Sequence, residues 1–187
     1  VTGYVPDEPN LYPKLTAREL LRFVGELYGM ERRQVERRGE ELLRVFELSA
    51  AADDTIDSYS HGMQQKTALA AALVHDPRVL VLDEPTVGLD PRSARLIKDL
   101  LRQLAERGAA VFLSTHILEI AERMCDRVAI IHHGQLIAQG SVDELRRQRQ
   151  AGESAAPGGD SLGVSLEDIF LSLTGGSEYA ELTEVLK

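Results

Sequence analysis

The residues best suited to chemistry close a short apolar run, Val79-Leu80-Val81-Leu82-Asp83-Glu84. A wholly apolar run of this length predicts a strand of a parallel sheet, buried on both faces. Its two carboxylates fall at the carboxyl edge of that sheet, where α/β folds take their ligands. Adjacent side chains on an extended chain point to opposite faces. One carboxylate can therefore serve a metal ion while its neighbour faces a different object. In nucleotide hydrolysis those objects are Mg²⁺ and the attacking water. Alone, the run describes equally well a strand that leaves for solvent through Asp and Glu.

Three other groups extend this pattern. Tyr59-Ser60-His61-Gly62-Met63-Gln64 leads into an alanine-rich stretch. Ser60 is placed as a helix N-cap, and Gly62 lets a backbone N–H approach a ligand closely. A helix start with a hydroxyl and bare amides suits an anion, although an ordinary cap is the commoner reading. His116 follows Ser114-Thr115 at the end of a second apolar run. A lone His is more often structural, but at a phosphate-facing edge it is placed to touch a γ-phosphate. Gly88-Leu89-Asp90 forms a tight turn just after the carboxylate pair.

These groups need elements to hold them. Pro6, Pro9 and Pro13 make the first sixteen residues read as loop. Thr16 with Glu19 predicts a capping box, with Leu20, Leu21, Val24 and Leu27 on one face and Gly29 as the stop. A second amphipathic helix is predicted over 34–48, with Val35, Leu42, Leu43, Val45 and Phe46 as its stripe. Residues 53–60 read as loop, and a third helix runs from about Gly62 to the Asp76-Pro77 break. Further on, the pattern predicts a helix over 91–107, a strand over 109–114, a helix over 117–124 and a hairpin of 128–132 with 135–139. A short helix over 143–150, a Gly/Ala/Pro-rich linker over 151–164 and a last helix opened by Ser165-Leu166-Glu167-Asp168 complete the chain. Alternating strands and helices point to an α/β domain with a largely parallel sheet.

Composition narrows the class. The 187 residues are 43% apolar and 27% charged, enough for a domain with its own core. No apolar stretch approaches the roughly 18–20 residues needed to cross a bilayer, and Val1–Asn10 has no signal-peptide pattern. A net charge of −9 argues against nucleic acid or an anionic membrane surface as the main partner. The one cysteine, Cys125, rules out an internal disulfide and fits a reducing compartment.

Taken in order, the groups resemble the nucleotide-binding domain of ATP-binding cassette proteins up to about residue 150. Ser60 to Gln64 is similar to the family signature, Val79 to Glu84 to the Walker B strand, Gly88-Leu89-Asp90 to the D-loop and His116 to the switch histidine. The stretch from Gly3 to Thr16 resembles the Q-loop segment. His61 and Met63 stand where the commonest signature has Gly and Gln, a variant familiar in exporter-type cassettes. Asp7 stands at the Q-loop position in place of Gln, keeping an oxygen ligand but shortening the reach and losing a donor.

The resemblance implies an α/β, P-loop NTPase-type (RecA-like) domain with a helical subdomain, the cofactors ATP and Mg²⁺, and a head-to-tail pair of such domains. Asp83 would hold Mg²⁺ through water, Glu84 would polarise the attacking water and His116 would contact the γ-phosphate. Ser60 and Gly62 would contact the γ-phosphate bound to the opposite subunit, with Met63, Asp90 and Asp7 as further cofactor-binding residues, Asp7 through Mg²⁺ or a water. The implied partners are a second nucleotide-binding domain and membrane permease subunits, with no nucleic acid. The implied location is cytoplasmic, peripheral on the inner face of the membrane, and the tail over residues 165–176 resembles that of export ATPases. A ribosome- or DNA-acting cassette, or a non-hydrolysing binding module, are the rival readings. No G-x-x-x-x-G-K-[ST] occurs in the sequence. The family places that loop upstream of the Q-loop, so the expectation is a domain incomplete at the N-terminus that alone binds ATP weakly.

Overall fold

The computed structural model describes residues 1–152 and 164–174, in two compact units, Val1–Thr115 and His116 onward. The first unit holds a three-stranded parallel sheet in the order β1 (Thr2–Val5), β2 (Val79–Asp83), β3 (Ala110–Ser114). Between β1 and β2 the chain forms α1 (Ala17–Leu27), α2 (Arg32–Val45) and α3 (His61–Leu73), and α4 (Pro91–Glu106) joins β2 to β3.

The strand β1 corrects the expectation of loop before residue 16. Only four residues long, it alternates exposed and buried positions, and Pro6 cuts it short before a periodicity can show. Its pairing partners lie far along the chain, Thr2 with Val79 and Val5 with Leu82. The sheet also corrects the expectation of burial on both faces. Val5, Leu80 and Leu82 are fully buried, whereas on the other face Tyr4, Val79 and Phe112 are exposed. The buried face lies against α3: at Gly3 an added Cβ would stand 2.5 Å from the Ala72 carbonyl oxygen. That approach explains the run of small residues in α3, of which Leu69, Ala70, Ala71, Ala72 and Leu73 are all buried.

The capping box of α1 is present: Glu19 N–H donates to Thr16 Oγ1 at 3.1 Å and Thr16 N–H to Glu19 Oε2 at 2.9 Å. Helix α2 starts two residues earlier than expected and stops at Val45, where Glu47 adopts a left-handed backbone. Val45 is exposed, while Phe46 and Leu48, beyond the helix, turn inward and are buried. Helices α1 and α2 approach closely at Gly25, where a Cβ would meet Val35 Cγ2 at 2.5 Å. Tyr28 ties three elements together: its hydroxyl donates to the Thr2 carbonyl at 3.1 Å and its ring stacks on His75 at 3.6 Å. Burial pushes the His75 imidazole below its usual pKa.

In the second unit α5 (Leu118–Met124), the hairpin β4–β5 (Val128–His132, Gln135–Gly140), α6 (Val142–Gly152) and α7 (Leu166–Thr174) enclose a small core. Ala121, Ile130, Leu145, Leu166 and Ile169 form it. His133 and Gly134 both have positive φ, the backbone a two-residue hairpin turn demands. Ser165 and Asp168 cap α7 reciprocally, as read from the sequence. The expected linker falls mostly on 153–163, outside the described residues, as does the expected stop at Gly175. Among the described residues no helix is long and apolar enough to cross a membrane.

Candidate functional site

Parallel pairing brings the carboxyl ends of β1, β2 and β3 to one edge of the first unit's sheet. Three sequence candidates lie there. Asp7 is exposed in the bend after β1. Asp83 is the last residue of β2 and pairs in register with Ser114 of β3. Glu84 comes next, with φ of 45°. This backbone changes the expected geometry. Glu84 has left the strand, so the two carboxylates part because the chain turns at Glu84-Pro85, and pleat alternation does not set their directions.

Two consecutive hydroxyls at the end of the neighbouring strand β3 meet those two carboxylates. Ser114 donates to Asp83 Oδ1 at 2.5 Å, and Thr115 donates to Glu84 Oε2 at 3.0 Å. The Glu84 amide donates to the Ser114 carbonyl at 3.0 Å, continuing the ladder one step past the strand. The sequence reading passed over Ser114 and Thr115 as mere strand end. The signal that could have found them is the offset between the two motifs: Asp83-Glu84 and Ser114-Thr115 end neighbouring strands in register.

Helix α3 begins as expected. Ser60 Oγ accepts from the Met63 N–H at 3.3 Å, which leaves the other early amides of the helix for a ligand. Gly62, Met63 and Gln64 are partly buried, and His61 is exposed. Around the D-loop-like turn, Gly88 has φ of 73°, and a Cβ there would stand 2.7 Å from His61 Cδ2. Leu89 Cδ2 lies 3.6 Å from the Cβ position of Gly62. The signature-like segment thus packs against the turn that follows Glu84, a contact no spacing argument foresaw.

Asp90 caps α4. Its Oδ1 accepts from the Arg92 and Ser93 amides at 3.0 Å each, and its Oδ2 accepts from the Ser93 hydroxyl at 2.6 Å. These donors, the Ser93 hydroxyl first, hold the Asp90 carboxyl below the usual carboxylate range. Its side chain is therefore engaged in building the turn. His116 follows Thr115 directly and opens the second unit, where it is exposed.

Among the described residues no group of three or more His, Cys, Asp or Glu side chains could hold a metal by themselves. Mg²⁺ binds through one or two carboxylates and completes its shell with water and substrate phosphates. Asp83 at the sheet edge, oriented by Ser114, is a donor of this kind.

A parallel sheet with a carboxylate pair at its carboxyl edge is the kind of edge where α/β folds take ligands, and the solved structures it matches assign it to the P-loop-type nucleoside triphosphatase fold. The comparisons with known proteins agree. The family model described as "AAA domain, putative AbiEii toxin, Type IV TA system" matches residues 8–122. The chain is 42% identical over 143 residues to the linearmycin resistance ATP-binding protein LnrL of Bacillus subtilis, covering 76% of this chain and 46% of that protein. It is 43% identical over 143 residues to Nod factor export ATP-binding protein I of Bradyrhizobium diazoefficiens, covering 76% and 47%. Among solved structures, an ATP-binding subunit of an ABC transporter matches with a TM-score of 0.82 at 35% identity, over 92% of this chain and 68% of that one. A dimeric ATP-binding cassette in a post-hydrolysis state, bound to ADP and Pi, matches with a TM-score of 0.69 at 29% identity, over 75% of this chain and 62% of that one. The chain belongs to the ATP-binding subunits of ABC transporters. It spans about half the length of the curated relatives it matches.

Proposed function

We propose that the protein hydrolyses ATP in a head-to-tail pair of nucleotide-binding domains and drives export through membrane-spanning permease partners. The observation that carries the reading is the carboxylate pair Asp83-Glu84 at the sheet edge, each oriented by a hydroxyl from the adjacent strand end. Asp83 would hold Mg²⁺, which would neutralise charge on the phosphates when bound. Glu84 polarises the water that attacks the γ-phosphate and takes its proton. His116, next in chain to the strand end that orients Glu84, contacts the γ-phosphate. Ser60, Gly62 and Met63 at the start of α3 serve the nucleotide held by the opposite domain, through early amides that face an anion favourably. Asp90 serves the site through the turn it caps, and Asp7 from the bend that follows β1.

Export is favoured because the relatives 42–43% identical over 143 residues include a Nod factor export ATP-binding protein and a linearmycin resistance ATP-binding protein. The location that follows is the cytoplasmic face of the membrane, held there by the permease. The test is Glu84→Gln, with ATP binding and turnover measured beside the unsubstituted protein. ATP binding is expected to persist, and turnover to fall about a hundredfold or more, the usual weight of a general base. Turnover near the normal rate would overturn the role of Glu84.

A further inference from the structure

We propose that Thr115 is a positioning residue for hydrolysis: its hydroxyl fixes the carboxyl group of Glu84 in the orientation that water activation needs. The inference rests on the reading of Glu84 as the water-activating base. It starts from the backbone. Glu84 is not glycine, yet it adopts φ of 45°, and it precedes Pro85, which itself restricts the residue before it. Such a conformation persists only where its surroundings hold it. Here the Glu84 amide is held by the Ser114 carbonyl at 3.0 Å, and the Glu84 carbonyl accepts from the Val87 amide at 3.2 Å.

With its backbone so fixed, Glu84 still has three side-chain torsions, and the sheet no longer decides where the carboxyl points. Thr115 supplies a direct constraint, donating to Oε2 at 3.0 Å from a residue whose own backbone follows the strand-end register Asp83–Ser114. A hydroxyl is suited to this. It donates to the carboxylate without adding charge, so it fixes orientation while leaving the base anionic. The same chain end does the same for the metal carboxylate, Ser114 donating to Asp83. Two neighbouring residues of one strand end thus set the direction of both acidic groups.

The test compares Thr115→Val, which keeps shape and removes the hydroxyl, with Thr115→Ser, which keeps the hydroxyl, in the full-length protein. Thr115→Ala stands in should the valine variant fold poorly, with the thermal midpoint as the check. Steady-state ATP hydrolysis is expected to show kcat about ten- to a hundredfold lower in Thr115→Val, the usual weight of a hydrogen bond to a charged group. KM for ATP is expected within about twofold of normal, and Thr115→Ser within about threefold in kcat. In a Glu84→Gln background, Thr115→Val is expected to add no further loss, because the group it positions is gone. Normal turnover in Thr115→Val beside an inactive Glu84→Gln would overturn the inference and leave the proposed function standing. An equal loss in Thr115→Ser, or a loss confined to KM, would overturn it as well. Full activity in Glu84→Gln would remove both.

Discussion

Substituting Gly3 by Ala places a methyl group where the structure has no room, and the cost can be worked from distances. The new Cβ would stand 2.5 Å from the Ala72 carbonyl oxygen, 2.9 Å from Leu80 Cδ1 and 3.3 Å from Pro77 Cγ. Leu80 can rotate at modest cost, but the Ala72 oxygen is backbone. Restoring ordinary contact at about 3.4 Å requires β1 and α3 to part by about 0.9 Å. Helix α3 cannot easily retreat, since Ala70, Leu73 and Val74 behind it are almost fully buried. Overpacking of this kind costs about 1–3 kcal/mol, and a backbone obstacle puts the expected value at the upper end, about 3 kcal/mol. In a chain of this size that lowers the thermal midpoint by about 6–12 °C. Gly108→Ala is the control: no atom lies within 4 Å of its Cβ position, but its φ of 92° disfavours any side chain. It is expected to lose about 1–2 kcal/mol by conformation alone. Chemical unfolding gives both energies, and amide hydrogen exchange in the β1–β2 ladder locates the damage. A Gly3→Ala protein with a normal midpoint and protected β1–β2 amides would refute the packing argument.

Gly25→Ala is expected to destabilise through Val35, whose two methyl carbons would lie 2.5 and 2.8 Å from the new Cβ. Adding Val35→Ala should recover part of the loss, so that a double-mutant cycle by denaturant unfolding gives a coupling of about 1 kcal/mol or more. His75 sets a pH dependence. Burial holds its folded pKa below the unfolded value near 6.5, so its stability contribution is present above about pH 6.5 and fades as pH falls through the folded pKa. His75→Phe keeps a ring against Tyr28, and the difference between unfolding midpoints at pH 7.5 and 5.5 is expected to shrink.

How much of this was legible in the sequence depended on the range of the interaction involved. Thr16 and Glu19 lie within one helical turn, so their capping box could be read from spacing alone, as could Ser60 and the Ser165–Asp168 cap. The Asp83-Glu84 pair was legible because a four-residue apolar run announces its strand. The strand β1 was not, since its four residues acquire meaning only against Val79–Leu82, far along the chain. The hydroxyls of Ser114 and Thr115 were hidden for the same reason: small polar residues at a strand end say nothing until register sets them opposite two acids. The left-handed backbone at Glu84 defeated the alternation argument, because local sequence rules treat a residue before proline as extended.

The span of the sheet's pairings has a consequence for the order in which the edge is built. Val79 meets Ala110 across 31 residues of chain, whereas Thr2 meets Val79 across 77. Closing the longer loop costs about 0.8 kcal/mol more in chain entropy. In refolding of the whole chain, the shorter loop favours pairing of β2 with β3 across α4, which brings Asp83 and Glu84 against Ser114 and Thr115. During synthesis the order differs: β1, α1, α2, α3 and β2 all precede β3, so Ser114 and Thr115 are the last parts of the edge to arrive.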